Sequence, residues 1–241
     1  MNTEHIVKSY DDELGQLTST IARMGGLAEF QLMKAVEALK TGDVALAESV
    51  IEADKRIDEL ETEVDDLSVR LIALRQPMAE DLRTIIASLK AASQLERAGD
   101  YAKNIAKRAV TLANMPATHL PPSTISRMSY LVQVMITNVL DAYVEKDVAK
   151  ADDVRQRDEE VDQMYTGLFG ELLTYMMEDS KAISRCAHLL FVAKNIERIG
   201  DHITNVAEQV HFMVEGTRPD DARPKGDRSS FTVVNADGAS A

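Results

Sequence analysis

The sequence of 241 residues is poor in several residue types, and each shortage narrows the fold. It has no tryptophan, one cysteine, six prolines and eleven glycines. That is too little proline and glycine for a loop-rich or all-β protein, and the single cysteine, Cys186, excludes an internal disulfide. Aromatic residues make up only 5% of the chain, so aliphatic side chains and methionine must fill the core, and these pack well between helices. The shortages favour an all-helical protein.

Positive charge is also scarce. The formal net charge is −13 and the sequence pI is about 4.8. Residues 216–241 contain four basic and four acidic side chains, so the excess negative charge lies on the body of the protein before them. A body this acidic repels DNA, RNA and anionic lipid headgroups, which all bind through basic surfaces. We expect protein partners or cations, and no nucleic acid.

Long apolar runs are absent as well. No stretch approaches the roughly 18 apolar residues that cross a bilayer. The first residues, Met-Asn-Thr-Glu-His, have neither the basic start nor the apolar core of a signal peptide. We therefore expect a cytoplasmic protein that reaches a membrane only through its partners.

Hydrophobic periodicity predicts long helices through almost the whole body, because apolar residues recur in steps of three and four. Gly25 and Gly26 should weaken the first helix and let a neighbour approach. Gly42 suits the end of that helix, Asp43 suits the cap of the second, and Pro77 suits the first position of the third. The predicted helices cover residues 10–39, 43–76, 77–114, 123–145, 147–178 and 180–215.

The connections between these helices are short, so neighbouring helices should be antiparallel. The fold class predicted is all-α, with six long helices in two tandem antiparallel three-helix bundles. The predicted domains are a first bundle over residues 1–115, a linker over 116–122, a second bundle over 123–215 and a disordered tail over 216–241.

The two halves repeat each other in sequence. Residues 43–58 match residues 147–162 at seven of sixteen positions with a constant offset of 104. The pattern Glu-Arg-x-Gly-Asp-x-x-x-Asn occurs at 96–104 and again at 197–205. The chain is a tandem duplication. The repeated Gly99 and Gly200 are costly in mid-helix, and their repetition predicts a tight contact between helices at that point.

Each half carries two pairs of acidic residues spaced four apart. Such pairs lie on one helix face and repel by about 0.2–0.5 kcal/mol, so something positive should offset them. If the second and third helices of a bundle face each other, the carboxylates converge, and a carbonyl oxygen from an asparagine one turn further along can join them. An all-oxygen cluster suits Mg²⁺, Ca²⁺, Mn²⁺ or ferric iron. The candidate ligands are Asp54, Asp58, Glu96, Asp100, Asp158, Asp162, Glu197 and Asp201, supported by Asn104 and Asn205.

Other interpretations stay open at this point. The acidic pairs can be ordinary solvated faces, with Arg97 and Arg198 pairing with acids on neighbouring helices. A metal-free adaptor would dock the same acids on a basic patch of a partner. A ferritin-like di-iron carboxylate enzyme needs Glu-x-x-His on two helices, and the sequence offers only Glu208 and His211. We find no catalytic machinery in the sequence.

The doubled Glu-Arg-x-Gly-Asp-x-x-x-Asn pattern resembles the signature of the PhoU family, as do residues 74–83 and 175–178. The resemblance runs to about His211. It implies two three-helix bundles in a pseudo-two-fold relation, which bind metal ions such as iron, zinc or manganese. The implied ligands are Glu96, Asp100, Glu197 and Asp201, with Asp54, Asp58, Asp158 and Asp162 facing them.

The resemblance also implies a function, that of a non-enzymatic negative regulator of phosphate uptake and of the phosphate regulon. Such a protein sits between the ATPase subunit of a phosphate ABC transporter and a sensor histidine kinase, with a homodimer as one possible assembly. One departure from exact repetition concerns Asp81-Leu82-Arg83, which has no clear counterpart at the same offset in the second half. The two bundles are therefore expected to differ.

Overall fold

The computed structural model describes residues 3–116, 123–219 and 225–232, which are almost entirely helical and contain no strand. The all-α prediction is confirmed. The helices are α1 (Thr3–Thr41), α2 (Val44–Ala53), α3 (Lys55–Arg75), α4 (Ala79–Ala113), α5 (Ser123–Glu145), α6 (Val148–Glu178) and α7 (Ile183–Glu215), with short 3₁₀ turns at Ser180–Ala182 and Ser229–Phe231. None of the helices in these ranges combines the length and the apolar character needed to cross a membrane.

The helix predicted over residues 43–76 is interrupted at Asp54, which separates α2 from α3. The Asp54 backbone keeps right-handed helical angles, with φ −57° and ψ −36°. Its carbonyl oxygen accepts from the Ile57 amide at 2.9 Å and from the Asp58 amide at 3.4 Å. The turn is therefore tightened toward 3₁₀ geometry, and α2 and α3 together form the second long rod of the first half.

The helix ends confirm one predicted cap and correct another. The Asp43 side chain accepts from the Leu46 amide at 2.9 Å, directly after Gly42 with φ 68°. Pro77, however, does not open the third helix, since α4 begins at Ala79. The chain reverses here through positive φ values at Gln76 (49°) and Ala79 (44°). A residue with positive φ does not fit inside a right-handed helix, so α4 cannot start earlier.

Helices α4 and α7 form the centre of the molecule and lie against each other. Arg83, near the start of α4, donates from Nε to the Met213 carbonyl at 3.4 Å near the end of α7. Arg185, near the start of α7, donates from Nη1 to the Leu112 carbonyl at 3.2 Å near the end of α4. The two helices are thus antiparallel, and the contacts are reciprocal, as a two-fold relation between the halves requires.

These contacts also refine the comparison of the two repeats. Leu112 and Met213 are 101 residues apart, which is the offset of the repeated motif. Arg83 has no counterpart at that offset, but Arg185 makes the equivalent contact at an offset of 102. The arginine of the second half thus lies one residue away from the position expected from the repeat, but it makes the same kind of contact, with a carbonyl near the end of the opposite helix.

The outer helices complete two bundles around this centre. Helices α1, α2 and α3 pack on α4, while α5 and α6 pack on α7. The bundles also touch through α1 and α5, where a side chain on Gly25 would overlap Leu140. The predicted close approach at this glycine is confirmed. Between α4 and α5, the buried hydroxyls of Ser88 and Tyr143 are 2.5 Å apart, so the core is continuous across the halves.

Candidate functional site

The repeated glycines set the distance between the acidic helices in each half. A Cβ on Gly99 would lie 2.8 Å from Ile57 Cδ1 and 3.3 Å from Asp54 Oδ1. A Cβ on Gly200 would lie 2.9 Å from Asp158 Oδ1. In both halves an aspartate of the second helical segment therefore packs tightly against the glycine of the repeated motif. Asp54 packs against Gly99 on α4, and Asp158 on α6 packs against Gly200 on α7. This confirms the predicted tight contact and explains why glycine recurs there.

The first acidic cluster consists of Asp54, Asp58, Glu96 and Asp100. Asp54 is buried, Glu96 and Asp100 are half-buried, and Asp58 is exposed. The cluster also contains a cation, Lys103, that is not among the predicted site residues. Lys103 Nζ is 2.6 Å from Asp54 Oδ2 and 3.3 Å from Asp100 Oδ1. An ammonium group therefore bridges one predicted ligand on the second rod and one on α4.

Burial and mutual repulsion shift the acids of the first cluster. Burial raises the pKa of Glu96 to about 7, and the negative charges of Asp100 and Glu61 add to the rise. Burial also raises the pKa of Asp54, although the hydrogen bond from Lys103 opposes it. In return, the hydrogen bond to Asp54 raises the pKa of Lys103. The cluster thus holds carboxylates that are costly to ionise together, stabilised by one lysine.

The second acidic cluster consists of Asp158, Asp162, Glu197 and Asp201, and it is more deeply buried. Asp158, Asp162 and Glu197 are 1%, 3% and 4% exposed. Its lysine is Lys194, whose Nζ is 2.7 Å from Glu197 Oε1. Burial raises the pKa of Glu197 to about 7, while the hydrogen bond and charge of Lys194 oppose the rise. The other side-chain oxygen of Glu197 is buried and has no hydrogen-bond partner among the described residues.

The second cluster also has a cover. The sequence predicts disorder over 216–241, and within this range residues 225–232 lie on α6 and α7. The Gly226 amide donates to Asp162 Oδ2 at 2.8 Å, and Lys194 Nζ contacts Asp227 Oδ2 at 2.9 Å. The disorder over 216–241 stays a prediction, and within that range residues 225–232 make these defined contacts. The segment is held by its backbone and by one acidic side chain, features that leave no periodic apolar pattern.

The two asparagines do not take the positions proposed for them. Asn205 Nδ2 donates to Gln94 Oε1 at 2.9 Å, and His202 Nδ1 lies 2.8 Å from the same oxygen. Asn205 thus links α7 to α4 and does not support the acidic cluster. Asn104 is half-buried on α4 and makes no hydrogen bond to the acids in the part of the chain that the structure describes. The acids are instead contacted by lysines, Lys103 in the first cluster and Lys194 in the second.

The arginines of the motif also differ from the expectation that they pair with acids on neighbouring helices. Arg97 Nε is 3.7 Å from Glu96 Oε2, the residue directly before it. The Arg198 guanidinium lies 5.6 Å from the centre of the Tyr101 ring, across the contact between α4 and α7. The Tyr101 ring in turn stacks on His202, with centroids 5.4 Å apart. The repeated arginines therefore serve different contacts in the two halves.

The positions of the carboxylates in the two acidic clusters show whether they fit a metal ion. The oxygen donors suit a hard cation, but within the described ranges no three histidine, cysteine, aspartate or glutamate side chains form a group that could hold one. Instead, the ammonium group of Lys103 contacts Asp54 and Asp100, and that of Lys194 contacts Glu197. As arranged here, the clusters do not fit a metal ion, and their positive charge comes from lysine.

The histidine of the ferritin-like alternative lies elsewhere. His211 Nε2 is 2.9 Å from Asp152 Oδ1, and His211 Nδ1 is 3.3 Å from Glu215 Oε2. Both ring nitrogens thus face carboxylates outside the two clusters. This arrangement ties the end of α7 to the start of α6 and gives no support to a di-iron centre.

The sequence contained a weak signal for the two lysines. Lys103 follows Asp100 by three residues and Lys194 precedes Glu197 by three, a spacing that places each pair on one helix face. The repeat hides them, because Lys103 corresponds to Thr204 and Lys194 to Ser93 at the offset of 101. Each half has acquired its counter-charge at a different position.

Comparison with known proteins agrees with this fold and repeat. The model of the family described as PhoU domain matches residues 21–109 and 125–210. A protein from Caulobacter vibrioides named phosphate-specific transport system accessory protein PhoU homolog is 51% identical over 225 residues, which cover 93% of this chain and 98% of that protein. A protein of the same name from Rhizobium meliloti is 46% identical, covering 95% of this chain and 97% of its own length.

Solved structures show the same architecture. The crystal structure of PhoU from Pseudomonas aeruginosa matches with a TM-score of 0.83 and 40% identity. The match covers 86% of this chain and 100% of that one. The phosphate transport system regulatory protein PhoU from Streptococcus pneumoniae matches with a TM-score of 0.81 and 29% identity, covering 88% of this chain and 99% of that one. The duplicated motif, the paired bundles and these similarities together show that the chain belongs to the PhoU family.

Proposed function

We propose that the protein is a non-enzymatic, cytoplasmic negative regulator of phosphate uptake and phosphate-dependent signalling. It would link the ATPase subunit of a phosphate ABC transporter to a sensor histidine kinase. The observation that carries this proposal is the similarity, over nearly the whole chain, to proteins named phosphate-specific transport system accessory proteins. An accessory protein of a transporter acts by docking, so the surface of the molecule is where the function has to be sought.

The first half offers an acidic surface suited to docking. Helix α3 carries exposed acids along its outer side, and these continue from the first acidic cluster toward the end of the helix. Local counter-charge is limited. Arg56 pairs with Glu59 at 2.5 Å and with Glu63 at 3.5 Å, and within the described ranges the other exposed acids of α3 have no ion pair. A basic surface on the partner would be attracted and oriented by this field. The exposed acids of α3 are Asp58, Glu59, Glu63, Asp65 and Asp66.

Exposed apolar side chains follow these acids along the chain, in the second half of α3 and at the turn to α4. Val69, Leu74 and Met78 are 65%, 73% and 79% exposed. Apolar side chains surrounded by charged ones are typical of protein interfaces, where the apolar centre supplies binding energy and the charged rim supplies orientation. We assign this combined surface to the ATPase subunit, since the related proteins are named for the transport system.

Metal binding stays a prediction. Iron, zinc, manganese or magnesium would have to compete with Lys103 and Lys194 for the same carboxylates, and no step of the proposed function depends on such an ion. The metal-free adaptor needs only the acids and lysines present, so we prefer it as the working form of the regulator. Among the residues that the structure describes, no arrangement of side chains favours a di-iron enzyme.

Binding measurements with purified partners test the proposal. The wild-type protein should bind the ATPase subunit and the cytoplasmic part of the kinase. The double variant Asp65→Lys/Asp66→Lys should bind the ATPase subunit at least about tenfold more weakly, because it reverses charge inside the proposed surface. The matched control Asp141→Lys/Glu178→Lys makes the same change of charge at exposed positions in the second half, and it should bind normally.

The cellular counterpart is a strain that lacks the gene and is complemented with each variant. Phosphate uptake in phosphate-rich medium should be high in the deletion strain and low again with the wild type or the control variant. A wild-type protein that binds neither partner, or that leaves uptake unchanged when restored, would contradict the proposal.

A further inference from the structure

We propose that residues 225–232 are an intramolecular strap that closes the second acidic cluster and leaves the first one open. This inference deepens the proposed function, because it assigns the two duplicated clusters unequal access to partners. The strap segment has the sequence Lys-Gly-Asp-Arg-Ser-Ser-Phe-Thr and includes the 3₁₀ turn Ser229–Phe231. Its contacts, its packing and the comparison with the first half support the assignment.

The strap bridges the two helices that carry the second cluster. On α6, the Gly226 amide donates to Asp162 Oδ2 at 2.8 Å, and the Arg228 amide donates to Thr166 Oγ1 at 3.0 Å. On α7, Lys194 Nζ contacts Asp227 Oδ2 at 2.9 Å. The same lysine contacts Glu197 at 2.7 Å, so the strap shares the cation of the cluster.

The packing at Gly226 requires glycine. A Cβ at this position would lie 2.9 Å from the Glu159 carbonyl oxygen and 3.1 Å from Asp162 Cβ. Both belong to α6, and the nearer of the two atoms is backbone, which cannot move aside as a side-chain end can. The strap therefore lies directly on the helix surface at this point, and any larger residue would lift it away.

The conformation of the strap is also fixed locally. Asp227 Oδ1 accepts from the Ser229 amide at 2.9 Å, while its other carboxylate oxygen contacts Lys194. Burial favours the neutral form of Asp227, but the hydrogen bonds from Ser229 and Lys194 prevail and lower its pKa overall. One aspartate thus both starts the 3₁₀ turn and ties the segment to α7.

Comparison of the repeats shows what the strap changes. Asp58 and Asp162 are equivalent at the offset of 104, yet Asp58 is exposed and Asp162 is 3% exposed. The side chains of Glu96 and Glu197, equivalent at the offset of 101, are 19% and 5% exposed. No described residue from the end of the chain covers the first cluster. Two acids of the first cluster, Asp58 and Glu96, are therefore more accessible than their equivalents under the strap, Asp162 and Glu197.

The strap is built to release. Phe231 is its largest apolar side chain and remains 83% exposed, so apolar burial contributes little to docking. The contacts that hold it are hydrogen bonds and an ion pair at the surface, where water and salt compete for the same groups. A basic surface on a partner that offers its own cation to Asp162 and Glu197 can take the place of the strap.

Carboxylate labelling on the full-length protein tests this inference. A water-soluble carbodiimide with glycine ethyl ester modifies accessible carboxylates, and mass spectrometry locates them. In the wild type, Asp58 should be labelled readily and Asp162 poorly. Two variants should each raise labelling of Asp162 by about threefold or more while leaving Asp58 unchanged, since each releases the strap locally. These are Gly226→Val, which adds bulk against α6, and Arg228→Pro, which removes the amide that donates to Thr166.

The control is Ser230→Ala, because the Ser230 side chain is exposed and the change should alter nothing. Hydrogen exchange provides the second readout, in which the Gly226 and Arg228 amides should be protected in the wild type and lose protection in Gly226→Val. Equal labelling of Asp162 in all four proteins, or unprotected amides in the wild type, would overturn the inference. Neither readout involves a partner, so a failure here is distinct from a failure of the proposed docking function.

Discussion

Replacement of Lys103 by methionine tests the electrostatics of the first acidic cluster most directly. Methionine keeps the length and most of the apolar stem of lysine but removes the ammonium group. The change leaves Asp54, which is 2% exposed, without the contact that Lys103 Nζ makes with it at 2.6 Å. It also removes the weaker contact with Asp100 at 3.3 Å. The folded protein then holds acidic side chains that no longer have this cation.

The size of the effect follows from the geometry. Two unit charges at this separation attract by roughly 6 kcal/mol at an effective dielectric constant of about 20, and desolvation offsets much of that. Removal of one partner from a fully buried ion pair costs about 3–5 kcal/mol. Because the Lys103 side chain is 26% exposed, water reaches the pair and reduces this cost. We expect the free energy of unfolding to fall by about 2–3 kcal/mol at neutral pH.

The loss should depend on pH with a definite sign. Burial raises the pKa of Asp54, and Lys103 opposes that rise, so the Lys103→Met variant raises the pKa of Asp54 further. A carboxyl group with a higher pKa in the folded state favours folding below its unfolded pKa, and this contribution is lost as pH rises through the folded pKa. The cost of the substitution should therefore be greatest at neutral pH and shrink toward about pH 4.

Urea unfolding followed by circular dichroism at several pH values measures this loss. Lys107→Met is the matched control, because it makes the same chemical change on the same helix at an exposed position. The double variant Lys103→Met/Asp54→Asn should recover most of the stability lost in the single variant, since the isolated carboxylate is then gone. The reasoning is refuted if Lys103→Met is no less stable than Lys107→Met, or if its deficit grows as the pH is lowered.

Further predictions concern the helix contacts, the shared core and metal content. Gly200→Ala should lower the free energy of unfolding by about 1–3 kcal/mol, because the new Cβ would lie 2.9 Å from Asp158 Oδ1. Gly167→Ala should instead raise the free energy of unfolding by up to about 1 kcal/mol, because the space around Gly167 is free. Urea unfolding of both variants checks the opposite signs. Tyr143→Phe should cost about 1 kcal/mol by the same assay, because it removes the hydrogen bond to Ser88 between the halves. Protein purified without chelator or metal-affinity resin should contain no stoichiometric metal by mass spectrometry. One or more ions per chain, absent from a variant with Glu96, Asp100, Glu197 and Asp201 changed to Ala, would instead establish these carboxylates as metal ligands.

The parts of the fold that follow from local pattern were accessible from the sequence. Steps of three and four along apolar positions located the long helices, and the Gly42-Asp43 pair located an end and a cap. The repeat placed Gly99 and Gly200 at tight contacts, since a residue that weakens a helix twice at equivalent positions needs a packing reason. Each of these conclusions depends on residues close together in the chain, where helix geometry fixes their relative positions.

The parts that depend on long-range placement were not accessible. Lys103 meets Asp54 across 49 residues, and Lys194 meets Asp227 across 33, so neither pair is visible as a local spacing. Asn205 lies eight residues after Glu197, so it is rotated by about 80° from Glu197 around the axis of α7, and it faces α4 and not the cluster. Pro77 had the right chemistry for a helix start, but the reversal of the chain at Ala79 decided where α4 begins.

The reciprocal arginine contacts make each half incomplete without the other. The carbonyls of Leu112 and Met213 near the ends of α4 and α7 are bound by Arg185 and Arg83 from the opposite half, so a separated half would lose a partner for its last helix and expose the seam between α4 and α7. Two identical copies of one half could form the same two-fold contact, which makes the tandem chain equivalent to a dimer joined by a tether. A tether replaces a dissociation constant with a high effective concentration. The pairing of the halves is then independent of how much protein the cell contains, and the two repeats are free to diverge, one remaining open and the other keeping its strap.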